Sequence, residues 1–591
     1  MNAILLAVAA AFAPQADTAY FQQGIDYRIE ARLDEDSDVL SGRARVRYVN
    51  RSTQRIDTLW FHMHLNAFRP NSAWARRDLE FDNRRFTDLG PEDHAFERLK
   101  RVEIAGAQIT PVFPGAPDST VVGLPLPRPL APGDSTVVRF DWDARLSTLP
   151  RRQGRRGRHF DFAQWYPRIA TFDRGGWQVQ PLMPQGEFYG EFATYDVTVD
   201  VAADQVIGAT GIAVEGDPGW AGAKAAGSAD PLYKRDVYGA RPAESLGLLQ
   251  GEAGSGRKRV RWRAEDVHHF AWTTNPAYIY EGGEWEDVAI HVLYQPGDTA
   301  WDDGVVVRRT AAALAFFDTI FGDFSWPQIT NVHRIEGGGT EFPMMVMDGS
   351  ASEGLIVHEV AHNYVHGILA NNEWREGWLD EGFASFLGSW YAEEQGTDPQ
   401  RLWANTMEAV REMERAGATE PVGLPSADFR DFGTYNAMTY TKPSAVLRSL
   451  RWLIGEDAFR AGMRRYFQDN ELRHVREADF IAAMEAAAGE ELDWFFEQYI
   501  HTTNTLDYAL GEVAATQRAD GRWDTRIEVR RTGDVWMPVD LRAGEVTQRI
   551  DGRGATQTVT ITTQSKPAEV VLDPDQVLIE VEVANNRKAV N

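Results

Sequence analysis

Residues 358–381 read HEVAHNYVHGILANNEWREGWLDE, and the fold turns on whether His358, Glu359, His362 and Glu381 serve one metal ion. Side chains four apart on a helix lie one turn apart on the same face, so His358 and His362 can aim imidazole nitrogens at a common point. A catalytic zinc takes three protein ligands and keeps a fourth position open. Eighteen residues separate His362 from Glu381, which opens the apolar run EGFASFLGSWY. The turn formers of NNEWRE let the chain reverse, so that this second helix packs on the first and its carboxylate completes a His, His, Glu set.

This spacing, with Glu381 inside WLDEGFA, resembles the zinc aminopeptidase family of aminopeptidase N and leukotriene hydrolase, within the gluzincin metallopeptidases. The resemblance implies one Zn2+ per chain held by His358, His362 and Glu381, with Glu359 as general base. The chemistry asks for the same set: zinc lowers the pKa of water towards 7, and a carboxylate beside it takes the proton during attack on a carbonyl.

Upstream, GGGTEFPMM at 337–345 is similar to the family's Gly-x-Met-Glu-Asn strand. The likeness implies Gly338 and Gly339 for close backbone approach and Glu341 as the anchor for a substrate's α-amine, with Thr340 and Phe342 departing from the pattern. A buried carboxylate there would be left unpaired by a blocked N-terminus, which selects for free amines. A second anchor is open between Gln164, in QWYPR, and Glu187 or Glu191, in GEFYGEF; the family's usual Glu falls at Tyr166. Downstream, TYTKP places Tyr440 where the family has an oxyanion donor, with Tyr435 the alternative. Asp380 is either a ligand-orienting group or an ordinary acidic residue at a helix start. His268, His269, His333 and His366 lack ligand spacing to the site and read as surface or core residues, and Met344, Met345 and Met347 as strand packing.

The rest of the chain bounds this reading. Its 591 residues exceed one core and imply a multidomain protein. A formal charge of −26 disfavours nucleic acid as a partner. With no cysteine, disulfides, thiolate nucleophiles and cysteine metal sites are excluded. The run RRQGRRGRH at 151–159 reads as a solvated loop. An apolar opening from Ala3 to Ala13, ending in Ala-Phe-Ala, predicts an export signal and a periplasmic or secreted protein, and no other stretch approaches the length of a membrane span.

Period-two alternation runs from about residue 20 to 265, helical spacing dominates from 350 to 500, and alternation returns after 505. Helices are expected over 351–367, 379–394, 401–415, 442–454, 456–468, 476–488 and 491–499. The expected fold is multidomain α+β: a probable signal peptide and leader at 1–19, an N-terminal β domain at 20–265, a catalytic domain at 266–503 and a small C-terminal β domain at 504–591. The resemblance implies that these are a β saddle, a mostly helical thermolysin-like domain and a β sandwich. The expected activity is removal of N-terminal residues from peptides with a free N-terminus. The alternatives are a secreted zinc endopeptidase, an epoxide hydrolase and a non-catalytic peptide-binding or adhesion protein on the same fold.

Overall fold

Alternating strands between residues 24 and 267 pair into an eight-stranded sheet, seen in a computed structural model that describes residues 20–239, 244–249 and 256–590. The export segment expected at 1–19 lies outside the described residues. The chain divides into two compact units. One comprises residues up to 319 with 323–370 and 470–474; the other comprises 320–322, 371–469 and 475 onward.

In the first unit the large sheet centres on Gly24–Asp34 and Val39–Val49, antiparallel with Ile29 opposite Ala44. Gly24–Asp34 also runs parallel to Ala193–Ala202. Ile25, Tyr27, Ile29, Ala31 and Leu33 are buried on one face. Arg28 and Glu30 on the other are buried too, because residues 244–249 cover them: Arg28 donates to the Glu244 carbonyl at 3.0 Å, and Glu30 accepts from the Leu246 amide at 2.9 Å. Trp142 and Trp165 lie in the core with their indole N–H groups bonded to the carbonyls of Trp165 and Phe270.

A second sheet in this unit has the order Ile279–Trp285, Val288–Tyr294, Gln328–His333, Met345–Asp348, Glu341–Phe342. Val288–Tyr294 and Gln328–His333 are parallel, joined by a crossover that contains the helix Val305–Ile320. Glu341–Phe342 pairs antiparallel with Met345–Asp348 at the sheet edge. The helix Glu353–His362 follows directly.

The α-helix expected through residue 367 ends earlier, and Asn363–Ile368 forms a wider π turn. Asn363 accounts for much of this: its amide donates to the Glu359 carbonyl at 3.3 Å and its oxygen accepts from the Met344 amide at 2.9 Å. Trp326 closes on Gly367, where a β-carbon would meet the indole ring at 2.9 Å. Such turns arise where tertiary contacts outweigh the regular ladder.

The second unit is helical and then β-rich. Its helices include Glu381–Glu394, Pro399–Arg415, Lys442–Ile454, Glu456–Asn470, Glu477–Ala488 and Asp493–Ile500, within two residues of the expected bounds. Gly382 lets Glu381–Glu394 approach Lys442–Ile454, since a β-carbon there would crowd Pro443 at 2.7 Å. Three- and four-stranded sheets built from Tyr508–Ala589 complete this unit. Ser449 and Arg448 bond the carbonyls of Val577 and Gln576 at 2.7 and 2.8 Å, fastening helix to sheet. The multidomain α+β order of β-rich N-terminal region, helical middle and C-terminal sheets is thus present. Among the described residues, no helix is long and apolar enough to cross a membrane.

Candidate active site

The helix Glu353–His362 presents its two histidines on one face, as their spacing predicts. Their Nε2 atoms are 3.0 Å apart and the rings stand at 87°. Glu359 is buried beside them. Burial pushes its carboxyl up to about 8; His358 and His362 pull it down, and the negative charges of Glu341 and Asp348 push it higher. Glu359 lies so close to the strand entering Glu341 that a β-carbon on Gly339 would overlap its carboxylate. Any side chain at 339 would therefore displace the Glu359 carboxylate.

The segment 336–341 is held at almost every residue. Gly338 has a φ of +71°, and its carbonyl accepts from the Gly349 amide at 2.8 Å. Thr340 exchanges backbone bonds with Met347 at 2.9 and 3.0 Å. Buried Arg334 donates to the Glu336 and Gly337 carbonyls and to the Thr340 hydroxyl. Glu341 is buried, and its Oε1 has no hydrogen-bond donor among the described residues.

Of the three candidates for a second amine anchor, Glu187 is the one placed beside Glu341, with carboxylate oxygens within 4.8 Å. Phe188 stacks on Phe342 at 5.6 Å. Gln164 is buried at a φ of +56°, and its side-chain nitrogen has no acceptor among the described residues. Glu191 instead lies 3.8 Å from His474, and burial pushes its carboxyl well above the usual range.

In the second unit, Glu381 opens its helix, buried, and accepts a hydrogen bond from the Tyr440 hydroxyl. Tyr440 lies in a π turn, Ala437–Thr441, that leads into the helix Lys442–Ile454. Tyr435 is buried in ring contact with Tyr440, at a centroid distance of 6.5 Å, and packs on Phe429. Lys442, two residues after Tyr440, forms a buried ion pair with Glu414 at 3.1 Å. Asp380 is fully buried, which removes the reading of it as a solvated residue.

Sequence reasoning passed over several groups. Asp348 is buried beside Arg334, its carboxylate has no hydrogen-bond donor among the described residues, and burial pushes its carboxyl up to about 7. Asn363 and Arg334 act through backbone contacts that no local pattern reports. Arg152, expected in a solvated loop, is buried; this correction reflects the ion partner that folding brings to it, Glu187. His268, His269 and His366 gather with ring nitrogens within 4.8 Å. His268 Nδ1 lies 2.7 Å from His269 Nδ1, and His268 Nε2 lies 3.1 Å from the His366 carbonyl. Burial drives His268 down to about 3, and the Arg168 charge lowers both it and His269 further. That cationic neighbour opposes a metal ion, so these read as core imidazoles.

The donors fit zinc. His358 and His362 offer two converging imidazole nitrogens on one helix face, and Glu381 offers a buried carboxylate, all types that zinc accepts.

Comparison with known proteins agrees. Residues 345–499 match the Peptidase family M1 domain. Similar proteins include Aminopeptidase 2, mitochondrial, from Saccharomyces cerevisiae, 26% identical over 31% of this chain and 22% of that protein. Aminopeptidase N from Streptomyces lividans is 28% identical over 25% and 18%, and Glutamyl aminopeptidase from Bos taurus 28% over 23% and 14%. The chain thus matches about a fifth of the length of these relatives. Residues 345–499 carry a peptidase family M1 domain, and over this stretch the chain is similar to the aminopeptidase N family of gluzincin metallopeptidases.

Proposed function

We propose that the protein is a zinc aminopeptidase that hydrolyses the first peptide bond of peptides with a free N-terminus. The observation that carries this reading is the contact of Glu359 with Gly339, two residues from a Glu341 carboxylate paired in space with Glu187. It sets a proton acceptor next to an ammonium pocket, so the cut falls one residue from the amine.

His358, His362 and Glu381 would hold the ion, Glu381 being assigned from the spacing of the motif and the family. When bound, zinc supplies Lewis acidity to the carbonyl and acidifies water. Glu359 takes the proton from the attacking water as the C–O bond forms, then returns it to the leaving nitrogen as the C–N bond breaks. Glu359, held high by burial, would be made a readier base by a cation held beside it. Tyr440 donates its O–H to the oxygen that becomes negative. Glu341 and Glu187 bind the ammonium, Gln164 is the further binding candidate that the QWYPR likeness supplies, and Gly338 and Gly339 admit the backbone.

A thermolysin-like core over 266–503, between β domains at 20–265 and 504–591, is the domain plan that the family resemblance implies. The apolar run Ala3–Ala13 supports export to the periplasm or beyond, which N-terminal sequencing of the extracytoplasmic protein checks.

The test is hydrolysis of aminoacyl-arylamides and matched acetylated peptides by wild type, Glu359→Gln and Glu341→Ala, with a chelator control. Cleavage of free-amine substrates alone, abolished by the chelator and by Glu359→Gln and weakened in KM by Glu341→Ala, is expected. Cleavage of acetylated peptides instead would favour an endopeptidase. Bound zinc with no turnover would favour a binding protein.

A further inference from the structure

The run RRQGRRGRH has the composition of a solvated loop, yet its second residue is among the most enclosed cations of the first unit. Arg152 has a φ of +57° and a side chain only 6% exposed. Its guanidinium pairs with Glu187, equally enclosed, and lies 5.2 Å from the centre of the Phe188 ring. Its amide donates to the Glu336 carboxylate at 2.6 Å, and the Arg151 guanidinium approaches the same carboxylate at 3.5 Å. Glu336 begins the Gly337-Gly338-Gly339 segment. Arg152 therefore touches both walls of the amine pocket, the Glu187 carboxylate by its side chain and the glycine segment by its main chain.

Buried carboxylates within 4.8 Å repel each other. A guanidinium on one of them offsets that repulsion, since it stays charged at any working pH. We propose that Arg152 is a positioning residue of the amine pocket: it fixes Glu187 beside Glu341 and cancels one carboxylate charge, so that the net charge of the pocket is matched to a single ammonium. This inference rests on the aminopeptidase reading. It makes charge matching, rather than the number of acids, the basis of selection for a free N-terminus.

The test is a charge-swap series read by steady-state kinetics on a leucyl-arylamide and by calorimetric binding of leucinamide. Glu187→Gln removes one negative charge and leaves the Arg152 guanidinium uncancelled; KM and the leucinamide Kd should rise about tenfold, with kcat changed less than about threefold. Adding Arg152→Met to Glu187→Gln restores the net charge of the wild-type pocket and should recover most of that loss. Arg152→Met alone should raise KM again. A role limited to structure would make the double variant worse than Glu187→Gln, and that result, or a Glu187→Gln variant with unchanged KM and Kd, overturns the proposal. Because Glu187→Gln and the double variant decide it, a misfolded Arg152→Met does not obscure the outcome; melting temperatures accompany each variant. Wild type is assayed first on free and acetylated substrates. If it does not prefer free amines, the aminopeptidase reading falls and this inference with it; if it does and the double variant shows no recovery, only the inference falls.

Discussion

A β-carbon placed on Gly339 would overlap the carboxylate of Glu359. The obstructing atoms belong to the far end of a flexible side chain, so Gly339→Ala can fold by turning Glu359 aside. The expected result is a kcat lower by about a hundredfold or more, as for other small displacements of a reacting group, with zinc content retained. The melting temperature should move by no more than about 3 °C. Kinetics, metal analysis and calorimetry on one preparation check this, and a variant with unchanged kcat would remove Glu359 from the base role.

The hydrogen bond from Tyr440 to Glu381 places the phenol in the same cluster as a proposed ligand. Removing one oxyanion donor costs about 10²–10³ in kcat. Tyr440→Phe should show that loss with KM nearly constant, whereas Tyr435→Phe, buried against Phe429, should keep most activity. The reverse pattern would assign the donor to Tyr435.

Lys442 and Glu414 form an ion pair from which water is almost wholly excluded. Glu414 is held above its usual range by burial, and Lys442 lowers it. Lys442→Met strands a carboxylate and should destabilise by about 3–5 kcal/mol, while Lys442→Met with Glu414→Leu should recover most of this. Chemical denaturation of both variants measures it. Equal damage in the single and double variants would mean the pair matters through shape.

Glu580 offers a pH test away from the active site. It accepts from the Tyr508 amide at 3.0 Å and from Asn586 at 2.9 Å, and burial, then Asp573, pushes it up to about 8. The folded state thus binds a proton that the unfolded chain releases near its ordinary value of 4.5. Its contribution to stability is complete below that value and is lost as pH rises through about 8. Glu580→Gln should leave the melting temperature unchanged near pH 4.5 and raise it relative to wild type near pH 8.5. The expected difference is on the order of 1–3 kcal/mol. A parallel pH dependence in both proteins would contradict this.

The parts of the site that the sequence exposes are those carried by local spacing. His358 and His362 needed only helical periodicity, and the helix bounds from 399 to 500 followed from apolar recurrence and caps. The helix end did not follow, because Asn363 is recruited by Met344 and Glu359, and the preference of asparagine for turns says nothing of which backbone it will bond. Arg152 was misplaced for a related reason: Glu336 is 184 residues away, and charge runs are ordinarily solvated. The choice of Glu187 over Glu191 depends on which way the GEFYGEF segment faces, and alternation cannot settle that where both residues are buried.

The π turn at Asn363–Ile368 also changes what the eighteen-residue gap between His362 and Glu381 means. That gap comprises a widened turn, the short strand Leu369–Asn371 and a helix at Glu373–Glu376 started by the Asn372 side chain. A helix advances about 100° per residue, so deleting one residue within 363–368 would rotate everything up to the following strand by that amount. Length in this segment is therefore as constrained as composition. A single-codon deletion here would do the damage of losing one of the proposed ligands, although His358, His362 and Glu381 all remained in the gene.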